Sequence, residues 1–267
     1  MRTTKVNKVI YSMALMAMTM ALLIISAPLQ ASETDNRIES SAKETYVFKT
    51  YLKDDAIKVS SKDGVVTLTG TVKETYHKEL AKETVVNLPG VKSVDNKLTV
   101  KMEAPPEYSD AWLITKVKTT LLFHRNVSGM DTNVFVKDGI VTLRGDASSL
   151  AQKDLTTEYA RDVEGVKDVK NEMKVLASSS KSDKKTLGEK IDTMGESIDD
   201  ASITALVKMT LMYHRSTSGL KTSVKTNAGE VTLSGEAKNA AEKDLATKLV
   251  SDVYGVKKVN NLMTIKS

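Results

Sequence analysis

A seven-residue string that returns twice does most to limit what this chain can fold into. Gly64-Val65-Val66-Thr67-Leu68-Thr69-Gly70 comes back 75 residues later as Gly139-Ile140-Val141-Thr142-Leu143-Arg144-Gly145, and 90 residues after that as Gly229-Glu230-Val231-Thr232-Leu233-Ser234-Gly235. The same offsets superpose Gly90-Val91-Lys92, Gly165-Val166-Lys167 and Gly255-Val256-Lys257, and then Asn96, Asn171 and Asn261. A fixed register of this kind is the mark of one supersecondary unit repeated in tandem. Upstream, Asp110 to Arg125 matches Asp200 to Arg215, so the second and third units are the nearest pair.

The periodicity inside one unit sets the order of its elements. In the second unit Leu113, Ile114, Val117 and Leu121 fall at helical spacing behind Asp110, which reads as the N-cap. Val134 and Val136 then alternate up to Asp138-Gly139, a pair suited to the positive φ angles of a tight hairpin, and Ile140 to Gly145 is the return strand. Ser148 to Val163 has helical composition and stops at Gly165, after which Val169 to Val175 alternates again. Each unit is therefore read as α-β-β-α-β. The fold class is α+β, with two helices covering one face of a three-stranded sheet, because a unit of roughly 70 residues can bury only a modest core.

Basic residues Arg2, Lys5 and Lys8, an apolar run from Met13 to Ile25 and small residues at Ala27 and Ala31 make residues 1–31 a secretory signal by layout, with cleavage expected near Ala31. The expected domains are residues 32–103, 108–176 and 196–267, and the expected location is the periplasm. Residues 177–195 read as a linker that opens on the Ser- and Lys-rich stretch from Ala177 to Lys185 and carries a short amphipathic helix with Leu187, Ile191, Met194 and Ile198 on one side. Cysteine is absent, which removes thiol catalysis and thiolate metal sites. The formal charge of +5 shrinks to 36 basic against 34 acidic residues once the three basic residues of the signal are set aside, so a nucleic-acid footprint is not expected.

Candidate binding residues lie on the first helices. Trp112, the single tryptophan, shares a face with Lys116, Thr119 and Phe123, away from the Leu113, Val117 and Leu121 stripe. Indole beside lysine suits a membrane interface, where the ring and the snorkelling ammonium are both satisfied, and it suits equally an aromatic packed against a neighbouring unit. Leu206, Met209 and Tyr213 occupy the matching face of the third unit, leaving that helix apolar on nearly every side. They are expected to meet another unit, a client protein or, as a secondary contact, membrane. His124 and His214 stand at equivalent helix ends, where a structural role at the negative end of the helix is favoured over a metal site, and His77 reads as solvated surface. No nucleophile elbow, phosphate-cradling loop or carboxylate cluster is recognisable, so neither catalysis nor cofactor, metal or small-molecule substrate is expected.

The succession of helix, glycine-bounded Val-Thr-Leu strand, helix and Gly-Val-x-x-Val-x-Asn strand resembles the BON domain over nearly all of residues 37–266. Asp199 to Ala205 is similar to the family's osmotically inducible periplasmic member. Ser109 to Val117 resembles the first helix of the second domain in its dual-domain outer-membrane lipoprotein, where that helix and its Trp meet anionic phospholipid. Two departures stand out: no cysteine is available for a lipid anchor, and only one of the three units carries the Trp. The resemblance implies a non-enzymatic envelope-stress protein whose partners are an anionic phospholipid surface or periplasmic client proteins, and a structural tandem without a ligand is the remaining alternative.

Overall fold

The computed structural model describes residues 33–101, 105–176, 198–217 and 220–266. The signal expected over 1–31 and the linker expected over 177–195, with its short amphipathic helix, lie outside the described residues.

The first domain runs α1 (33–44), α2 (Tyr46–Thr50), β1 (Ala56–Lys62), β2 (Val65–Val72), α3 (Thr75–Val86) and β3 (Ser93–Val100). The second runs α4 (Asp110–Leu122), β4 (Asn133–Lys137), β5 (Ile140–Arg144), β6 (Asp146–Ala147), α5 (Leu150–Arg161), β7 (Asp168–Asn171) and β8 (Lys174–Val175). In the third, α6 (Asp200–Tyr213) precedes β9 (Thr222–Asn227), β10 (Glu230–Ala237), α7 (Ala240–Ser251), β11 (Lys258–Asn261) and β12 (Thr264–Ile265). The Val-Thr-Leu strand is central each time. It pairs antiparallel with the strand before it (Val59 opposite Leu68, Val134 opposite Leu143, Val224 opposite Leu233) and parallel with the strand after the second helix. The α+β reading of each unit thus holds, with α2 as an addition in the first.

Val66, Leu68, Val141, Leu143, Val231 and Leu233 point to the helices and are fully buried, while the opposite sheet faces stay open to solvent. The hairpins turn on Asp63-Gly64, Asp138-Gly139 and Ala228-Gly229, all at positive φ. Asp110 is not the N-cap of α4. Ser109 caps it, accepting from the Trp112 amide at 3.2 Å, and Asp110 instead reaches across to the hairpin, accepting from the amides of Asp138 (2.9 Å) and Gly139 (3.0 Å). Asp35 and Asp200 do the same for the other two turns.

The packing between domains does not follow chain order. Buried side chains of the first and third domains form one continuous apolar core, whereas the second domain has its own, touched from outside by Leu249 of α7. α6 is the centre of the shared core. Its Ala205, Leu206 and Met209 are fully buried, α3 packs along it, and Lys208 closes the edge with an ion pair to Glu83 at 2.9 Å. Its N-terminus also serves the first domain: Asp199 accepts from the Tyr46 amide at 2.8 Å and Ser202 Oγ from the Val47 amide at 3.0 Å, both in the first turn of α2.

Candidate functional site

On α4 the two sequence stripes separate as the spacing implies, but the second does not stay on the surface. Leu113, Val117 and Leu121 fill the second domain's core. Trp112 and Lys116 are half-buried at the rim of a cleft, and further along the same face Thr119 and Phe123 are buried. Phe123 enters the core shared by the other two domains and meets Tyr51 edge-on at 5.6 Å between ring centroids. Thr119 donates its hydroxyl back to the Thr115 carbonyl at 2.8 Å. These two residues therefore leave the expected lipid-contact set, because the stripe runs from solvent into the junction of the three domains.

The cleft, about 610 Å³, has a wall from each domain: Tyr76 and Val100 of the first, Trp112 and Ile114 of the second, Tyr213 of the third. The Lys116 ammonium lies 5.0 Å from the centre of the Trp112 ring and 4.2 Å from that of Tyr213, a cation held between two π faces. Burial pulls its pKa below the usual lysine range, while Glu107 pulls it back up. Among the described residues Lys116 makes no ion pair within 4.0 Å. Tyr108, 55 % exposed, leans on Trp112 with ring centroids 5.2 Å apart and continues the aromatic edge into solvent.

The secondary face proposed for the third unit is not a surface. Leu206 and Met209 are fully buried against the first domain, and Tyr213 is half-buried as a cleft wall. The all-round apolar character of α6 comes from its two packing partners rather than from a membrane or client contact. His77 is likewise buried, its Nδ1 in contact with Asp55 Oδ2 at 2.5 Å, so it is no solvated surface residue.

His124 and His214 do occupy equivalent places, yet neither attends to its own helix end. Both are fully buried and face each other across the contact between the second and third domains, Nε2 to Nε2 at 2.9 Å. Around them the backbone and aspartate contacts come in equivalent pairs. Arg125 donates its amide to the Asp252 carbonyl at 2.9 Å, and Arg215 donates its own to the Asp162 carbonyl at 2.7 Å. Asp162 Oδ2 lies 3.0 Å from His214 Nδ1, and Asp252 Oδ2 lies 3.3 Å from His124 Nδ1. Ser216 and Asn126 complete the two aspartates. Tyr159 breaks the symmetry by donating its hydroxyl to Asp252 at 2.6 Å and stacking on His124. Among the described residues no group of three or more His, Asp or Glu could hold a metal ion. Sequence reasoning passed over Asp162 and Asp252, although the 90-residue offset that pairs the histidines pairs them too, and the first unit has Lys49 and Asn87 at the matching positions.

Fold and cleft together define a tandem of small α/β modules whose concave surface lies between modules. The chain belongs to the BON-domain family: the BON domain matches residues 34–102, 109–177 and 199–267. Osmotically-inducible protein Y of Escherichia coli is 33% identical over 144 residues, 52% of this chain and 72% of that protein. Outer membrane lipoprotein DolP of Haemophilus influenzae is 29% identical over 151 residues, 54% of this chain and 78% of that protein. A 21 kDa hemolysin of Actinobacillus pleuropneumoniae is 32% identical over 121 residues, 44% of this chain and 62% of that protein.

Proposed function

We propose that this chain is a non-catalytic protein of the cell envelope that attaches to anionic phospholipid surfaces through the aromatic edge of its second domain. One observation carries the reading: Trp112 and Lys116 line the open cleft with Tyr108 leaning on Trp112 from the solvent side, apolar rings and a cation side by side, and among the described residues Lys116 makes no ion pair. That combination matches the boundary between headgroup phosphates and acyl chains. Relatives named as an osmotically inducible protein and an outer membrane lipoprotein support an envelope setting under osmotic stress. Among the described residues no helix is long and apolar enough to cross a membrane.

The test is flotation of the chain with vesicles of phosphatidylglycerol or of phosphatidylcholine. Binding is expected to the anionic vesicles and to fall with salt. Trp112→Ala should weaken it by about 1–3 kcal/mol, tenfold or more, if the indole is buried on contact. Lys116→Ala should cost on the order of 1 kcal/mol, less at high salt. A folded Trp112→Ala chain that floats like the parent sinks the lipid site. Suppression of client aggregation that needs no lipid would favour the chaperone-like reading instead.

A further inference from the structure

The third domain holds its two neighbours by different means. Against the first it uses an apolar core centred on α6; against the second it uses the buried histidine and aspartate contacts, with Leu249 on its own side and Phe123 from the second domain as apolar supplements. The second contact is the one of the two that buries a pair of imidazoles face to face.

The hydrogen bonds around the histidines fix how many protons it holds. His214 donates Nδ1–H to Asp162 Oδ2 at 3.0 Å, which leaves its Nε2 as an acceptor. The facing Nε2 of His124, 2.9 Å away, must then carry the hydrogen, and among the described residues the Nδ1 of His124, 3.3 Å from Asp252 Oδ2, has no hydrogen-bond partner. Two neutral imidazoles satisfy this chain. One further proton can go to His124 Nδ1, towards Asp252. A proton on each Nε2 cannot be accommodated, because two N–H donors would then point at each other 2.9 Å apart with no water between two fully buried rings.

We propose that the contact between the second and third domains is a proton-operated latch, closed while His124 and His214 share one Nε2 hydrogen and opened when each imidazole carries its own, so that acid releases the second domain from the body formed by the first and third. The groups facing the pair are Asp252 at the end of α7, Asp162 at the end of α5, Tyr159 on α5, and the flanking Arg125 and Arg215. Of these, the two aspartates favour charge on the rings, and the arginines and the second ring oppose it. Tyr159 already spends its hydroxyl hydrogen on Asp252.

The sign follows from linkage. In the open state each imidazole is a free histidine and takes its proton near pH 6.5. In the closed state burial, opposed by Asp252, drives His124 down to about 4. The open state therefore binds more protons, and closure weakens as pH falls below about 6.5, by up to about tenfold per unit for each proton refused. Asp162 acts in the same direction at the acid end. Burial raises its pKa, the hydrogen bonds from His214 and Ser216 more than offset this, and its lowered pKa makes a contribution that is lost when it protonates.

Trp112 is the chain's single tryptophan and sits in the cleft that the second domain shares with Tyr213 of the third, so its emission reports separation. The experiment follows that emission and the radius of gyration of the full chain from pH 7.5 to 4.5, with far-ultraviolet circular dichroism as the check that the domains stay folded. A reversible red shift and expansion are expected below pH 6.5, with the open-to-closed ratio rising about a hundredfold over two units if one proton is refused. In His124→Gln/His214→Gln the transition should disappear or move at least one unit lower, while His77 is still present. A parent that keeps its radius and emission to pH 4.5, or a double variant that opens where the parent does, overturns the latch. Should the double variant be open already at pH 7.5, the imidazole resonances of the parent decide: both rings titrating near pH 6.5 in a chain of unchanged radius overturn it, and both staying neutral until expansion begins supports it. None of these outcomes depends on lipid.

Discussion

At the residue scale, the repeated positions are those where a side chain closes the backbone of another element. Asn96, Asn171 and Asn261 each donate to a carbonyl of the second helix (Lys78, Lys153, Lys243) and accept from an amide two residues on, tying the last strand of the domain to that helix. Asp35, Asp110 and Asp200 hold the hairpin turn as acceptors only, each taking the amides of the two turn residues. Asp110→Ala should cost about 1–2 kcal/mol, as a charged acceptor for two amides is lost at a turn that water can partly re-solvate. Asp110→Asn, with one oxygen to offer, should fall between, and urea unfolding of the three chains measures the order. In the third domain the turn places Ala228 at φ 51°, where the first two have aspartate at 55°. Ala228→Asn should stabilise by about 0.5–1 kcal/mol, since asparagine tolerates the left-handed region that alanine pays to enter. A parent and variant of equal stability would show that the turn does not carry this strain.

At the element scale, α4 and α6 began as equivalent segments and ended with different surroundings. Their own stripes were legible because helical spacing determines which residues leave toward the sheet: Leu113, Val117 and Leu121 on α4 all reached the core. The fate of the other stripe was not legible, because it depends on how far the neighbouring domain lies from each turn. Trp112 and Lys116 stay at a rim, while Phe123, two to three turns on, is swallowed. The apolar girth of α6 did announce two partners, but a single chain says nothing of which domain supplies the second. Lys and Glu around His77 read as surface for a similar reason, since Asp55, its partner, lies on the loop before β1. The measurable consequence sits on α6. Met209→Ala should destabilise by about 2–5 kcal/mol, as expected for a fully buried side chain in a cavity that collapses only in part. Hydrogen exchange should show the loss in α3 as well as in α6, with α5 spared. Protection lost equally from α5 would mean that the three domains unfold as one.

At the scale of the whole molecule, tandem copies invite a picture of beads in chain order, and the packing is different: the third domain returns past the second to share its core with the first. Twenty-one residues, 177–197, separate the described parts of the second and third domains, enough chain to span roughly 70 Å if extended. The order of contacts is thus set by surface chemistry rather than by tether length. Apolar faces of α3 and α6 find each other because burying them is worth more than burying the His and Asp faces, which must satisfy every polar group they desolvate. This makes a definite expectation for a chain cut by protease between residues 177 and 185. If domains were beads, the cut would yield a two-domain piece and a one-domain piece that part on a sizing column. With a core in common and the ion pair of Lys208 to Glu83 across it, the two pieces should co-elute at pH 7.5 as one particle of the uncut size, and separate only in denaturant. Leu206→Asp places an unpaired carboxylate in that core and should let the nicked pieces part without denaturant. Pieces that separate at once from the unsubstituted chain would show that the shared core is too small to hold the third domain in place.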